Sequence, residues 1–231
     1  MAVAERYARR SARHDARGVG HDLYSPLRPE VTLARQQRQR VMLDLLSRHA
    51  VQPLDQLRVL EIGCGSGSNL LELASLGFDA SRLVGNELLP ERAATARRQL
   101  PAATVLHEGD ATQLPFDANS FDLVYQSTVF SSLLDDAFQQ RLANAMWRWV
   151  RPGGAVLWYD FTVNNPRNPD VRGVPLRRLR QLFPMGQVTA HRVTLAPPLA
   201  RVVCRWHPAL YTLFNSLPLL RTHVLAWVHK A

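Results

Sequence analysis

Three glycines at alternate positions, Gly63, Gly65 and Gly67, follow the apolar run Val59 to Ile62 and precede a segment of helical composition. Such a turn needs residues without a β-carbon where backbone must approach a ligand closely. A dinucleotide-binding turn would carry its third glycine at the sixth position, which here is Ser68,. That fingerprint also has no use for an acidic residue two places before the first glycine, where Glu61 stands. A carboxylate there suits a ligand with an ammonium group, met directly or through water. Glu87 lies 20 residues after Gly67, and a carboxylate with two acceptor oxygens suits a vicinal diol.

Read together, these residues resemble the class I S-adenosylmethionine-dependent methyltransferase family. Glu61-Ile-Gly-Cys-Gly-Ser-Gly67 is similar to the family's first motif, E-x-G-x-G-x-G. Val84-Gly-Asn-Glu87 matches the end of its second strand, Glu108-Gly-Asp-Ala111 with Leu114-Pro-Phe116 its third motif, Phe121-Asp-Leu-Val124 the start of its fourth strand, and Arg151-Pro-Gly-Gly154 the turn before its fifth. The resemblance implies S-adenosyl-L-methionine as cofactor, S-adenosyl-L-homocysteine as product, and no metal. It makes Glu61, Gly63, Cys64, Gly65, Gly67 and Asn69 cofactor-binding, with Glu61 toward the ammonium group. Glu87 goes to the ribose hydroxyls, Leu88, Asp110 and Ala111 to the adenine, and Gln126 and Ser127 beside the methionine part and the methyl group. The implied reaction is in-line displacement at an activated methyl, for which the protein mainly supplies proximity, orientation and exclusion of water.

The acceptor is less legible. Tyr125-Gln-Ser-Thr-Val-Phe130 is not the Asn/Asp-Pro-Pro-Tyr/Phe motif of adenine or glutamine N-methylating enzymes, and no Pro-Cys nucleophile of the cytosine type is present. Small-molecule or glycan acceptors, methylated on oxygen or nitrogen, are therefore expected ahead of DNA. An RNA methyltransferase and a catalytically silent cofactor-binding domain are the alternatives. The family's pocket positions point to Asp160, next to Tyr159, as base or hydroxyl-orienting group. Gln126 and Tyr24 join it as catalytic candidates, and Tyr7, Tyr24, Phe130, Asn164, Asn165 and Arg167 as acceptor-binding ones. The loop holding those asparagines also fits a simple turn-rich connection. The segment from Val163 to Leu199 resembles tails of bacterial methyltransferases of surface-polysaccharide or secondary-metabolite pathways.

The elements that must position these residues read as alternating strands and helices. Strands are expected at Leu57 to Ile62, Arg82 to Glu87, Thr104 to His107, Phe121 to Ser127, Ala155 to Phe161, Gln187 to Leu195 and His223 to His229. Helices are expected at Ala4 to Arg17, Val31 to Ala50, Ser68 to Leu76, Pro90 to Leu100 and Asp136 to Val150, with an apolar helical insert near Leu199 to Ser216. The Pro-Gly-Gly turn at 152–154 should end the fifth of these helices. This predicts an α/β fold: a Rossmann-like, seven-stranded, mostly parallel sheet covered by helices on both faces, its last strand antiparallel. It is read as one domain: a helical N-terminal cap (1–52), a cofactor-binding core (53–161) and a C-terminal acceptor-side region (162–231).

Bulk properties bound the rest. The 231 residues carry a net charge of +9, with 11 Arg against 6 acids over 1–58, 6 against 11 over 59–150, and 11 basic residues against 2 acids over 151–231. Basic ends could face nucleic acid, a membrane surface or an anionic substrate. However, 27 of the 28 basic residues are Arg, a bias that a GC-rich gene produces without functional cause. Cys64 and Cys204 give neither a disulfide framework nor a metal cluster. The five N-terminal arginines lack the apolar run of a secretory signal,. The uncharged stretch Trp206 to Leu220 has 15 residues where a span needs roughly 20. A cytoplasmic monomer or homodimer is expected, with room for peripheral membrane contact.

Overall fold

The computed structural model describes residues 24–49, 52–166 and 168–231. Seven strands, β1 (Val59–Ile62), β2 (Leu83–Glu87), β3 (Val105–Glu108), β4 (Phe121–Ser127), β5 (Val150–Phe161), β6 (Gln187–Leu195) and β7 (Arg221–His229), form one sheet in the order β3-β2-β1-β4-β5-β7-β6. Pairing is parallel from β3 through β5, and β7 runs antiparallel to both β5 and β6. The strand order turns back between β1 and β4. In such sheets that reversal opens a crevice at the carboxyl ends of the strands, where ligands bind.

The strands are apolar on both sides because helices cover both faces. Odd-numbered residues of the central strands (Val59, Leu123, Leu157, Tyr159) pack with Met42 and Leu45 of α1 (Pro29–His49) and with Leu70 and Leu73 of α2 (Ser68–Ser75). Ala96 of α3 (Pro90–Gln99) joins that core. Even-numbered residues (Leu60, Ile62, Val156, Trp158) pack with Leu142 and Met146 of α4 (Asp136–Trp149) and with Leu179 and Leu182 of α5 (Leu176–Leu182). This is the two-residue period of a pleated strand. A third cluster joins Leu195 to Ala200 and Val203 of α6 (Pro197–Trp206) and Tyr211 of α7 (Ala209–Asn215), against Leu33 and Ala34 of α1.

Local chemistry sets the helix ends. Pro90 occupies the first turn of α3, where its missing N–H costs nothing, and the Asp135 side chain accepts from Phe138 N at 2.9 Å to cap α4,.

The structure departs from expectation at three places. Pro152-Gly153-Gly154 does not stand between helix and strand: β5 runs through it from Val150, and the pairing with β4 jumps from Phe121↔Val150 to Leu123↔Ala155. Gly153 takes φ +79° in this bulge, and a β-carbon on Gly154 would stand 2.5 Å from the Asp122 carbonyl,. The insert is two helices, broken at His207-Pro208, because Pro208 cannot continue α6,. Helix α5 went unforeseen because four of its seven residues are Arg or Gln and only Leu179 and Leu182 are buried. The expected helix Ala4 to Arg17 lies outside the described residues.

Candidate active site

The turn after β1 holds Gly63, Gly65 and Gly67 at φ +63°, +58° and +89°, a region that only glycine enters at no steric cost. Their surroundings differ. A β-carbon on Gly63 would meet Val129 Cγ2 at 2.7 Å and one on Gly67 would meet Leu100 Cγ at 2.9 Å, whereas one on Gly65 would meet nothing within 4 Å. Gly63 and Gly67 are thus fitted to the protein's own side chains, and Gly65 faces open space. The turn is pinned by Cys64 N donating to Asn86 O (2.9 Å) and Gly67 N to Cys64 O (2.9 Å).

Beside Gly65 stands the carboxylate of Glu87, at the end of β2. Its Oε2 accepts from Gly65 N and its Oε1 from Leu89 N, both at 2.8 Å. An ionised carboxylate offers about four acceptor sites, so two bonds leave capacity for a diol. Gly109 N donates to Glu87 O (2.9 Å) and Asn86 Nδ2 to Gly109 O (3.0 Å), which ties the Asp110 loop to the same strand end. Asp110 Oδ1 accepts from both N and Oγ1 of Thr112 at 2.8 Å, fixing the turn that carries buried Ala111. The register β1–β2–β3 brings Gly65, Glu87 and Asp110 to one edge of the crevice.

Glu61 is fully buried beneath this edge. Asn69 Nδ2 donates to its Oε1 at 2.6 Å, and Oε2 has no partner. Burial pushes the Glu61 carboxyl up to about 7, against the pull of Asn69 and of Arg38,. Arg38, from α1, pairs with Glu72 at 2.5 Å and lies over the Tyr159 ring at 5.3 Å. Tyr159 Oη bonds Thr194 Oγ1 (2.9 Å), and Thr194 N, at φ +63°, donates to Gln37 Oε1 (2.8 Å). The ring of His223 stacks on Tyr159 with centroids 5.2 Å apart, and its Nδ1 lies 3.0 Å from Thr222 Oγ1. Burial, with the nearby Arg38 charge, holds the His223 imidazole down at about 4. Sequence reasoning missed this group: Arg38 sits in the run Arg35-Gln-Gln-Arg-Gln-Arg40, where nothing sets it apart, and His223 is one of eight histidines.

Residues 60–158 match the family model of a methyltransferase domain. The fold is shared by an S-adenosylmethionine-dependent methyltransferase from Mesorhizobium loti, with a TM-score of 0.56 at 17% identity, covering 83% of this chain and 95% of that one. Residues 60–158 thus carry a methyltransferase domain, on the fold of the class I S-adenosylmethionine-dependent methyltransferases. Among curated relatives, a demethylmenaquinone methyltransferase of Roseiflexus castenholzii is 35% identical over 115 residues, covering 50% of this chain and 46% of that protein. A malonyl-[acyl-carrier protein] O-methyltransferase of Haemophilus ducreyi is 32% identical over 162 residues, covering 68% and 56%. The chain spans about half the length of these relatives.

Three of the acceptor-side candidates, Gln126, Phe130 and Asp160, are buried, with Gln126 paired opposite Ile62 at the end of β4 and Phe130 in the core on the α4 side. Gln126 spends both ends of its amide, donating to Tyr159 O (3.2 Å) and accepting from Val129 N (3.0 Å). Phe130 packs on Trp158 with ring centroids 4.5 Å apart. Asp160 accepts from Ser131 N (3.1 Å) and Phe161 N (3.0 Å), and burial pushes its carboxyl up to about 7. It anchors the loop after β4 to β5. In Asp160→Asn one main-chain N–H loses its acceptor, so a stability loss of about 2 kcal/mol is expected, read as a lower urea midpoint.

Ser127 shares a side-chain hydrogen bond with Tyr125. Leu88 is half-buried directly after Glu87. Asn164 Oδ1 turns inward to Gly173 N (2.9 Å) and borders a cavity of about 370 Å³ with Gln139, Arg172 and Arg178, on the α4–α5 side. Asn165 lies on the same exposed loop, and Tyr24 is exposed just ahead of α1. Tyr7 and Arg167 lie outside the described residues.

Proposed function

We propose that the chain transfers a methyl group from S-adenosyl-L-methionine to an oxygen or nitrogen of a small, largely apolar acceptor. The observation that carries this reading is Gly65: its face is open while its N–H is bound to the Glu87 carboxylate. The residues present fit the cofactor. Glu87 offers acceptors for a ribose diol, Asp110 an acceptor and the Ala111 N–H a donor for an adenine edge, and Leu88 an apolar wall. The enclosed Glu61, with an unpartnered Oε2 behind Asn69, offers compensation for an ammonium group. When bound, this cofactor supplies a methyl group already activated on a sulfonium sulfur. The chain's remaining tasks are to orient the acceptor, exclude water and take a proton where the acceptor is a hydroxyl.

For that proton, His223 is the best-placed group in place of Asp160. It lies at the start of β7, paired with Phe161 at the end of β5, and so at the sheet end that carries the glycine turn. With Nδ1–H donating to Thr222 Oγ1, Nε2 presents a lone pair. Its aromatic neighbours Tyr159 and Phe161 favour a phenol or quinol over a glycan. The relative named for demethylmenaquinone supports the same class.

Two measurements test this. Calorimetry should detect S-adenosylmethionine binding, and labelled methyl groups should appear on phenols or quinols in preference to monosaccharides; absence of cofactor binding refutes the proposal. His223→Gln should lower turnover by about 10²-fold with cofactor affinity unchanged, and equal turnover would remove it as base. An imidazole held at about 4 stays unprotonated through pH 6, so the pH–rate profile should show no acid limb near the ordinary histidine value of about 6.5. The linked stability runs the other way: the unfolded chain binds the proton first, so His223 weakens the fold as pH falls from about 6.5 toward 4.

A further inference from the structure

We propose that the outward side of α6 and α7 is a docking surface for an anionic lipid bilayer. The inward side of these helices is fully used, with Ala200, Val203 and Tyr211 packed under Leu195 and against α1. The outward side is not. Trp206 is 84% exposed and Leu219 89%, and Val202, Leu213 and Leu217 are each more than half exposed. Leu27, at the entry to α1, adds to them across a groove that it shares with Val202, Arg201 and Arg205. Isolated apolar side chains on a surface are ordinary, but a run of them supplied by one insert marks a contact surface.

Charge selects the occupant. From Val171 to Ala231 the chain has nine Arg and Lys residues and no Asp or Glu, and Arg201 and Arg205 flank Trp206 on α6 itself. The acid that borders the groove, Glu30, is paired with Arg28 at 3.7 Å. Two copies of this face would bring like charges together. An RNA would meet the arginines but leave Leu213, Leu217 and Leu219 in water. A bilayer with anionic headgroups accommodates both: arginines at the phosphates, the Trp ring at the headgroup level and leucines at the acyl boundary. Helices of 10 and 7 residues fit the plane of an interface.

Topology gives the contact an orientation. β6 is antiparallel to β7, which is antiparallel to β5, so β6 runs with β1. The insert leaves the carboxyl end of β6 and thus lies at the sheet end that bears the glycine turn and Glu87. Docking would turn this end toward the bilayer, whatever acceptor the methyltransferase uses.

The test uses the full chain with sedimented vesicles of phosphatidylcholine, alone or with about one-third phosphatidylglycerol. Binding should be at least about tenfold stronger to the anionic vesicles and should weaken steeply toward about 0.5 M salt. Among the described residues Trp206 is the one exposed Trp, so emission should shift to the blue on binding and should not shift in Trp206→Phe. A Trp206→Ser/Leu219→Ser variant should keep the melting temperature and lose vesicle binding by at least about tenfold. Arg201→Gln/Arg205→Gln should lose only the preference for anionic lipid. The proposal is overturned if the full chain ignores both vesicles, or if the Ser variant binds them equally well. It is likewise overturned if the chain forms a dimer that the Ser variant abolishes, or if it binds an RNA oligonucleotide but no vesicles.

Discussion

Gly65→Val should abolish S-adenosylmethionine binding in a protein that still folds. The residue sits at φ +58° with no neighbour within 4 Å of a β-carbon. The added β-carbon would therefore clash with no part of the chain, and the branched side chain would take up the open space at this turn. A branched residue in this backbone region costs about 1–2 kcal/mol, which lowers the melting temperature without unfolding a domain of this size. The loss of affinity should exceed about 100-fold, equivalent to about 2.7 kcal/mol, measured by calorimetry beside a thermal scan. The neighbouring glycines make the control: a β-carbon on Gly63 or Gly67 meets Val129 or Leu100 below 3 Å, so those variants should lose stability as well as affinity. Near-normal binding by Gly65→Val would show that the ligand does not approach this backbone.

Glu87→Gln should be nearly as damaging, although it is the isosteric change. Both carboxylate oxygens accept a main-chain N–H, from Gly65 and from Leu89. An amide has one acceptor oxygen, so its NH2 must face one of these donors. Hydrogen bonds to a charged group contribute about 1.5–3 kcal/mol each, and the ribose contact proposed for Glu87 weakens with loss of the charge. Affinity should fall by about 30- to 100-fold, and the glycine turn should loosen at Gly65. A cofactor analogue without the ribose 2′-hydroxyl separates the two effects. The native protein should discriminate strongly against it, and Glu87→Gln should hardly discriminate. Equal discrimination by both proteins would detach Glu87 from the sugar.

The two carboxyls held near 7 tell a related story about pH. Glu61 and Asp160 are raised mainly by burial. Each favours the fold below the ordinary carboxylate range, and that contribution is lost as pH rises through about 7. His223, depressed, acts in the opposite sense between about 6.5 and 4. The interior at the strand ends is therefore sensitive to protonation from both directions.

The sequence by itself determined the seven strands, the crevice-forming turn and the acidic residues at the ends of β2 and β3. Apolar runs of strand length, glycines at alternate positions and a carboxylate at the next strand end are local signals, and parallel pairing at consecutive registers carries them to one edge. Only the tertiary structure decided which way the residues of β4 and β5 face. In strands covered on both sides, the apolar pattern does not distinguish the faces. Nothing in the sequence therefore told Tyr159, on the α1 side, from Asp160, which is turned into the α4 side. The same ambiguity hid His223 and Arg38, which meet only because β7 inserts between β5 and β6 and α1 folds across that end. Residue type and spacing point to the proposed cofactor edge because it is built from consecutive elements. The cluster of Arg38, Tyr159, Thr194 and His223 is brought together by packing alone.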